Sequence, residues 1–233
     1  MRVLFIQQDH VSPVGHVGAA FRARGFAVET MLVVPEERFA RPDVTATFPD
    51  PRDYDAIVPM GAPWSVYDEV AIGSWIVDEL AFLRAAHGFG VPVFGICFGG
   101  QALASALGGG VEAAAAPELG WTKIETDDAE LVEGGPWFQF HHDRWQLPPG
   151  AVEVARTPLA SQAFVQGRSM GVQFHPELTV ATLQGWNDAG GRDHLEAFGV
   201  DVDALMAQTR AEDPAAALRA QRLVDGFLER CAA

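Results

Sequence analysis

The amino-acid sequence predicts an α/β protein in three layers: an open sheet of mostly parallel central strands, helices on both of its faces, and a small antiparallel extension. Three observations predict it. Up to residue 107, short apolar runs alternate with helical patterns, and that alternation builds a parallel sheet with crossover helices. The first run, Val3–Ile6, is continuously apolar, as a strand covered on both faces is. Between residues 121 and 174 the character changes to short strand-like pieces separated by turns.

Taken in order, Val3–Ile6 is the first strand, and Val14–Arg24 a helix closed by Gly25. Phe26–Val34 alternates enough for a second strand. Residues 35–53 hold four prolines and several charges and form a loop. Tyr54–Met60 is a third strand ending at Gly61. In Ile72–His87, Trp75, Ile76, Leu80 and Leu83 recur at three- and four-residue spacing, which predicts a helix. Val91–Ile96 is the fourth strand, and Gln101–Leu107 a helix ended by Gly108-Gly109-Gly110. Trp121–Glu125, Phe138–His141, Val152–Ala155, Ala163–Gln166 and Met170–Phe174 make the antiparallel or mixed extension. The tail is helical, with Leu218, Arg222, Val224, Phe227 and Leu228 set towards a core. No linker divides the chain, so residues 1–233 are expected to form a single domain.

Composition narrows the function. Acidic side chains outnumber basic ones 31 to 16, a net charge of −15. No basic cluster is present to displace counterions, which argues against a nucleic-acid partner; the acidity serves solubility. No apolar run approaches the ~18–20 residues needed to cross a bilayer, and Met1–Ile6 is too short for a signal peptide. The two cysteines, Cys97 and Cys231, are therefore expected as reduced thiols in a cytoplasmic protein.

One stretch carries chemistry. Gly95-Ile96-Cys97-Phe98-Gly99-Gly100-Gln101 follows a strand and precedes a helix. A cysteine bracketed by glycines at such a turn is a nucleophile elbow: the turn lifts the side chain above the sheet edge. The helix that follows directs its N-terminal dipole at the sulfur and favours thiolate. A nucleophile needs a base, and the base an orienting group. His175, at the end of a predicted strand in Gly171-Val172-Gln173-Phe174-His175-Pro176-Glu177, is the candidate base, and Glu177 can fold back onto it. The expected triad is Cys97, His175 and Glu177. His10 follows the first strand and lies either at a solvent-facing turn or near the substrate. Trp64, Trp121 and Tyr67 are candidate pocket walls. His141 and His142 are adjacent on an extended segment and point to opposite faces, so no metal site is expected there. No phosphate loop or dinucleotide fingerprint is present, and no cofactor is expected.

Over roughly residues 50–180 the chain resembles the class I, triad-type glutamine amidotransferases, and among them stand-alone members similar to GMP synthase. Gly95–Gln101 looks like that family's nucleophile motif and Gln173–Glu177 like its His-Glu motif. Met60-Gly61-Ala62-Pro63-Trp64-Ser65-Val66 resembles its oxyanion loop, with alanine at 62 where many members have glycine. Glu118-Leu119-Gly120-Trp121 and Phe140-His141-His142-Asp143 resemble two further segments, in the same order. The resemblance implies a flavodoxin-like fold and hydrolysis of the glutamine side-chain amide through a Cys97 thioester, releasing ammonia for a separate acceptor synthetase. It places the oxyanion donors at the backbone N–H groups of Ala62 and Phe98, and substrate contacts at Gly61, Gln101 and His141. A γ-glutamyl peptidase or hydrolase would use the same triad without a partner. A cysteine α/β-hydrolase, whose acid normally precedes its histidine, and a non-catalytic binding module are the other readings.

Overall fold

The computed structural model describes residues 1–232. The first half runs β1 (Arg2–Gln7), α1 (Gly15–Ala23), β2 (Ala27–Leu32), β3 (Ala56–Pro59), α2 (Glu69–Gly88), β4 (Val93–Ile96) and α3 (Phe98–Ala106). The second half runs β5 (Gly110–Thr122), β6 (Glu125–Thr126), β7 (Trp137–Gln146), β8 (Val152–Arg156), β9 (Ser161–Gln166), β10 (Ser169–Val172), α4 (Val180–Trp186), α5 (Arg192–Ala197) and α6 (Val202–Cys231). The central sheet has eight strands in the order β2-β1-β3-β4-β10-β9-β8-β6, and β5 pairs with β7 in a separate antiparallel ribbon.

Strand periodicity explains the layers. In β1, Val3 and Phe5 point to one face, where Val17 and Phe21 of α1 and Phe227 of α6 cover them. Leu4 and Ile6 point to the other, under Trp75 and Ile76 of α2 and Phe98 and Leu103 of α3. Both faces are dry, so the strand is apolar at every central position. A third cluster, including Phe138, Leu183, Trp186, Leu195 and Met206, lies under the ribbon, α4, α5 and the first half of α6.

The pairing of β10 decides where the site forms. β10 runs parallel to β4, with Gly171 opposite Gly95 and Val172 opposite Ile96. The residues that follow these two strands, Cys97 and Gln173 onwards, therefore emerge together at one sheet edge. The backbone N–H of Cys97 donates to the Val172 carbonyl at 2.8 Å.

Several sequence expectations need correcting. The helix after the elbow starts at Phe98, directly after Cys97, rather than at Gln101. Residues 35–53 contain two short 3-10 turns, Glu36–Arg38 and Pro51–Asp53. Residues 110–120 belong to β5, and β7 reaches Gln146 instead of stopping at His141. The ribbon was obscured because its inward side chains include the polar Glu118, His141 and Asp143, so hydrophobic periodicity fails there. α4 and α5 were not anticipated. On α6, Leu218 is 56% exposed and Arg222 points outward to Glu133. The buried face is Ala216, Ala220, Leu223, Val224, Phe227 and Cys231, whose three- and four-residue spacing leaves position 218 on the opposite side.

Candidate active site

Cys97 is the one non-glycine residue with positive φ among the described residues (φ 49°, ψ −110°). Such a conformation costs of order 1–3 kcal/mol and persists only where its surroundings impose it. Here backbone of the neighbouring strands presses on the turn. Gly99 N–H donates to the Met60 carbonyl at 3.0 Å, and a Cβ on Gly99 would lie 2.0 Å from the Pro59 carbonyl oxygen. The elbow thus needs glycine for close approach of β3, not merely for flexibility. The first intrahelical bond of α3 runs from Gln101 N–H to the Cys97 carbonyl (2.9 Å). That leaves Phe98 N–H, at the first helical position, without an intrahelical acceptor.

His175 and Glu177 face Cys97 from the end of β10. His175 Nδ1 lies 2.8 Å from Glu177 Oε1; the side chains are 5% and 0% exposed. His175 Nε2 is buried without a hydrogen-bond partner, and Cys97 is close enough for its charge to act on the imidazole. Burial pushes the imidazole pKa down, but the negative charge available at Cys97 and Glu177 outweighs burial and holds it well above the ordinary histidine value. Gly61 packs against both residues: a Cβ there would meet His175 Cε1 at 3.0 Å and Cys97 Cβ at 3.8 Å.

The structure brings most of the sequence-predicted residues to one cavity of ≈ 420 Å³, lined by Gly61, Ala62, Cys97, Phe98, Gln101, His141 and His175, among others. Ala62 keeps an ordinary negative φ, so the alanine carries none of the strain that a glycine-like turn would impose on it. Gln101 Nε2 donates to the Asp143 carbonyl (3.1 Å) and to Gln173 Oε1 (3.3 Å). His141 takes a different orientation from a simple substrate contact. Its Nδ1–H donates to the Asp143 carbonyl (2.9 Å). Its Nε2 sits 3.2 Å from Glu118 Oε2, an ion-pair distance but off the hydrogen-bond axis. Glu118 also accepts from Gln162 Nε2 (2.8 Å) and Thr157 Oγ1 (3.0 Å). The His142 ring also lines the cavity and meets His194, Nε2 to Nε2, at 2.6 Å.

Of the candidate walls, Trp64 lines the cavity. Trp121 does not: its Nε1 donates to Thr209 Oγ1 and its ring packs on Phe138. Tyr67 is half exposed and donates its hydroxyl to Asp143 Oδ1 (2.8 Å). His10 lies outside the lining and packs on Phe39, while its neighbour Asp9 lines the cavity. Burial raises the Asp9 carboxyl, against hydrogen bonds from Ser12 and Val11. Sequence reasoning missed Asp9, whose only signal was its place just past the first strand. It also missed Gln173 as a site residue. Gln173 Nε2 reaches Cys97 Sγ at 3.7 Å, and its position two residues before His175 was the available signal.

The fold is a three-layer α/β sandwich with a strained thiol at one strand end and a buried His–Glu pair at the end of the adjacent strand. Residues 36–185 match the family model "Glutamine amidotransferase class-I", and the chain belongs to that family and is a glutamine amidotransferase-type enzyme. It is 36% identical over 167 residues to a GMP synthase [glutamine-hydrolyzing] of Limosilactobacillus reuteri, covering 67% of this chain and 29% of that protein. It is 43% identical over 113 residues to that of Nitrosomonas eutropha, covering 41% and 21%. The chain thus spans less than a third of these curated relatives. Among solved structures, a glutamine amidotransferase from Thermotoga maritima superposes with a TM-score of 0.83 at 25% identity over 98% of both chains. One from Methylobacillus flagellatus, at 22% identity, shares the fold with a TM-score of 0.81 over 99% of this chain and 95% of that one. No helix among the described residues is long and apolar enough to cross a membrane.

Proposed function

We propose that residues 1–233 act as one amidotransferase domain that hydrolyses the side-chain amide of glutamine through a γ-glutamyl thioester on Cys97 and releases ammonia for a separate acceptor synthetase. The observation that carries this is the buried His175–Glu177 pair, which faces a cysteine held in a strained turn. Cys97 sulfur attacks the amide carbon. The developing oxyanion lies against the backbone N–H groups of Ala62 and Phe98; losing one such donor typically costs about 3–4 kcal/mol of transition-state stabilisation. The tetrahedral species collapses as the His175 proton passes to the leaving nitrogen. Water then enters, His175 takes its proton, and the thioester is hydrolysed to glutamate. Gly61 and Gln101 border the glutamyl group, and His141, tied to Glu118, fixes the wall behind Asp143. The names of the curated relatives, glutamine-hydrolysing GMP synthases, support a synthetase as the acceptor.

A second reading, a γ-glutamyl peptidase or hydrolase that needs no partner, is favoured by the size of the cavity. Purified protein separates the two. Ammonia release from glutamine, stimulated by an added synthetase, supports the first; cleavage of γ-glutamyl peptides in preference to glutamine supports the second. Absence of both, with Cys97 unlabelled by iodoacetamide, would remove the thioester mechanism.

A further inference from the structure

We propose that this site also accepts γ-glutamyl amides whose amine half is uncharged and apolar, an N-alkyl or N-aryl group, and cleaves them to glutamate and the free amine. The inference rests on the thioester reading above and extends it to the amine side of the scissile bond.

The amine half must leave beside His175, since His175 supplies the proton that the departing nitrogen takes. The wall at that point is aromatic. The Trp186 ring lies 4.9 Å, centroid to centroid, from the His175 imidazole, and Phe140 lies 5.8 Å from Trp186. A second aromatic run, Phe39 and Trp64 at 5.8 Å, lines the same cavity. The ≈ 420 Å³ of space falls in the range of pockets for drug-sized ligands, roughly 300–1,000 Å³, and exceeds what an amino acid fills.

Charge weighs against an anionic amine half. No lysine or arginine lines the cavity among the described residues, so a carboxylate on the amine half, as in γ-glutamyl peptides, meets no counter-charge. His142 and His194 are turned onto each other, Nε2 to Nε2. The acids are engaged too. Asp9 accepts from Val11 N–H and Ser12 Oγ, and Asp143 from Ser65 and Tyr67; these neutral donors fix the two carboxylates without cancelling their charge, so a cationic conjugate is the competitor the test includes. Beside the reacting bond itself, the recess is walled by Trp186 and Phe140.

The step balances. Cys97 sulfur bonds to the γ-carbonyl carbon, the C–N bond breaks, and the His175 proton goes to the nitrogen, giving RNH2. The hydroxyl of water then bonds to the thioester carbon, its other proton goes to His175, and the C–S bond breaks, giving glutamate and returning the sulfur and the histidine to their starting state.

The test compares kcat/KM of the full chain for glutamine, γ-glutamylbenzylamide, γ-glutamylglycine and γ-glutamylputrescine, with the released amine read by mass spectrometry. Benzylamine is less basic than a simple alkylamine and close to the amine of glycine, so the glycine conjugate is the matched leaving group and preference over it reports binding. The expected result is a kcat/KM for the benzylamide roughly tenfold or more above the glycine and putrescine conjugates. Phe140→Ala and, independently, Phe39→Ala lower the benzylamide-to-glutamine ratio by about tenfold, mainly through KM. Preference for the glycine or putrescine conjugate, or a ratio that neither variant moves, overturns the proposal. Modification of Cys97 by 6-diazo-5-oxonorleucine provides the separate control. If Cys97 reacts but the benzylamide is not cleaved, this inference alone falls. If Cys97 does not react and no amide is cleaved, the thioester reading falls with it.

Discussion

Glu177→Gln tests the proposed triad where charge matters most. The replacement keeps shape and removes only the negative charge beside His175 Nδ1, 2.8 Å away in a site with almost no solvent. Two unit charges about 4 Å apart are worth about 4 kcal/mol at an effective dielectric of 20, and a hydrogen bond to a charged group contributes roughly 1.5–3 kcal/mol. Between these bounds, about 3–4 kcal/mol of imidazolium stabilisation disappears, or about 10²–10³ in kcat. The direction of the pH effect follows. Burial opposes the proton on His175, while Cys97 and Glu177 together retain it. With Glu177 neutral, the imidazole loses its proton at lower pH, so the alkaline limb of the kcat profile moves to lower pH. The assay is steady-state release of ammonia or amine across pH, on any amide the unmodified protein turns over. A variant with kcat within about twofold of the parent and an unmoved alkaline limb would refute the assignment of Glu177 as the orienting acid.

Three further outcomes follow from the geometry. Iodoacetamide on the native protein should modify Cys97 and spare Cys231, read by peptide mapping: Cys231 is fully buried and burial pushes its thiol up to about 11. Modification of Cys231 first would contradict this packing, and Cys97→Ala should abolish both labelling and thioester formation. Gly99→Ala places a methyl group 2.0 Å from the Pro59 carbonyl oxygen and should cost roughly 1–3 kcal/mol in chemical denaturation, with loss of turnover as the elbow shifts; a neutral effect would mean that β3 is not what presses on the turn. Glu79, fully buried on α2, accepts from Gln8 Nε2 at 2.7 Å, and burial, only partly countered by that bond, pushes its carboxyl up to about 8. The folded chain therefore holds this proton when the unfolded chain has lost it. The associated stability is fully present below about pH 4.5 and declines by roughly 1.36 kcal/mol per pH unit up to about pH 8. Glu79→Gln should flatten that slope and stabilise the protein at about pH 8, as measured by denaturant melts at both ends of the window.

How much of this was legible in the sequence depended on distance along the chain. β1, β3, β4 and the helix over residues 72–87 are encoded by local apolar patterns, because each buries its own faces whatever the rest of the chain does. The elbow was equally visible, since glycines around a cysteine between strand and helix are a local necessity of that turn. His175 and Glu177 were legible as a pair because a single residue, Pro176, separates them and one carboxylate reaches one imidazole. The sequence alone also established an acidic surface with no basic cluster. Only the tertiary structure decided that β10 inserts parallel beside β4. That single pairing, made across more than 70 residues of chain, sets His175 against Cys97. It also decided that the polar inner face of the β5–β7 ribbon is buried, that Asp9 and Gln173 line the thiol's surroundings, and that Trp121 turns away. The physical reason is the same in each case. Local propensity fixes backbone geometry, whereas the position of a buried polar group is fixed by partners contributed from distant segments.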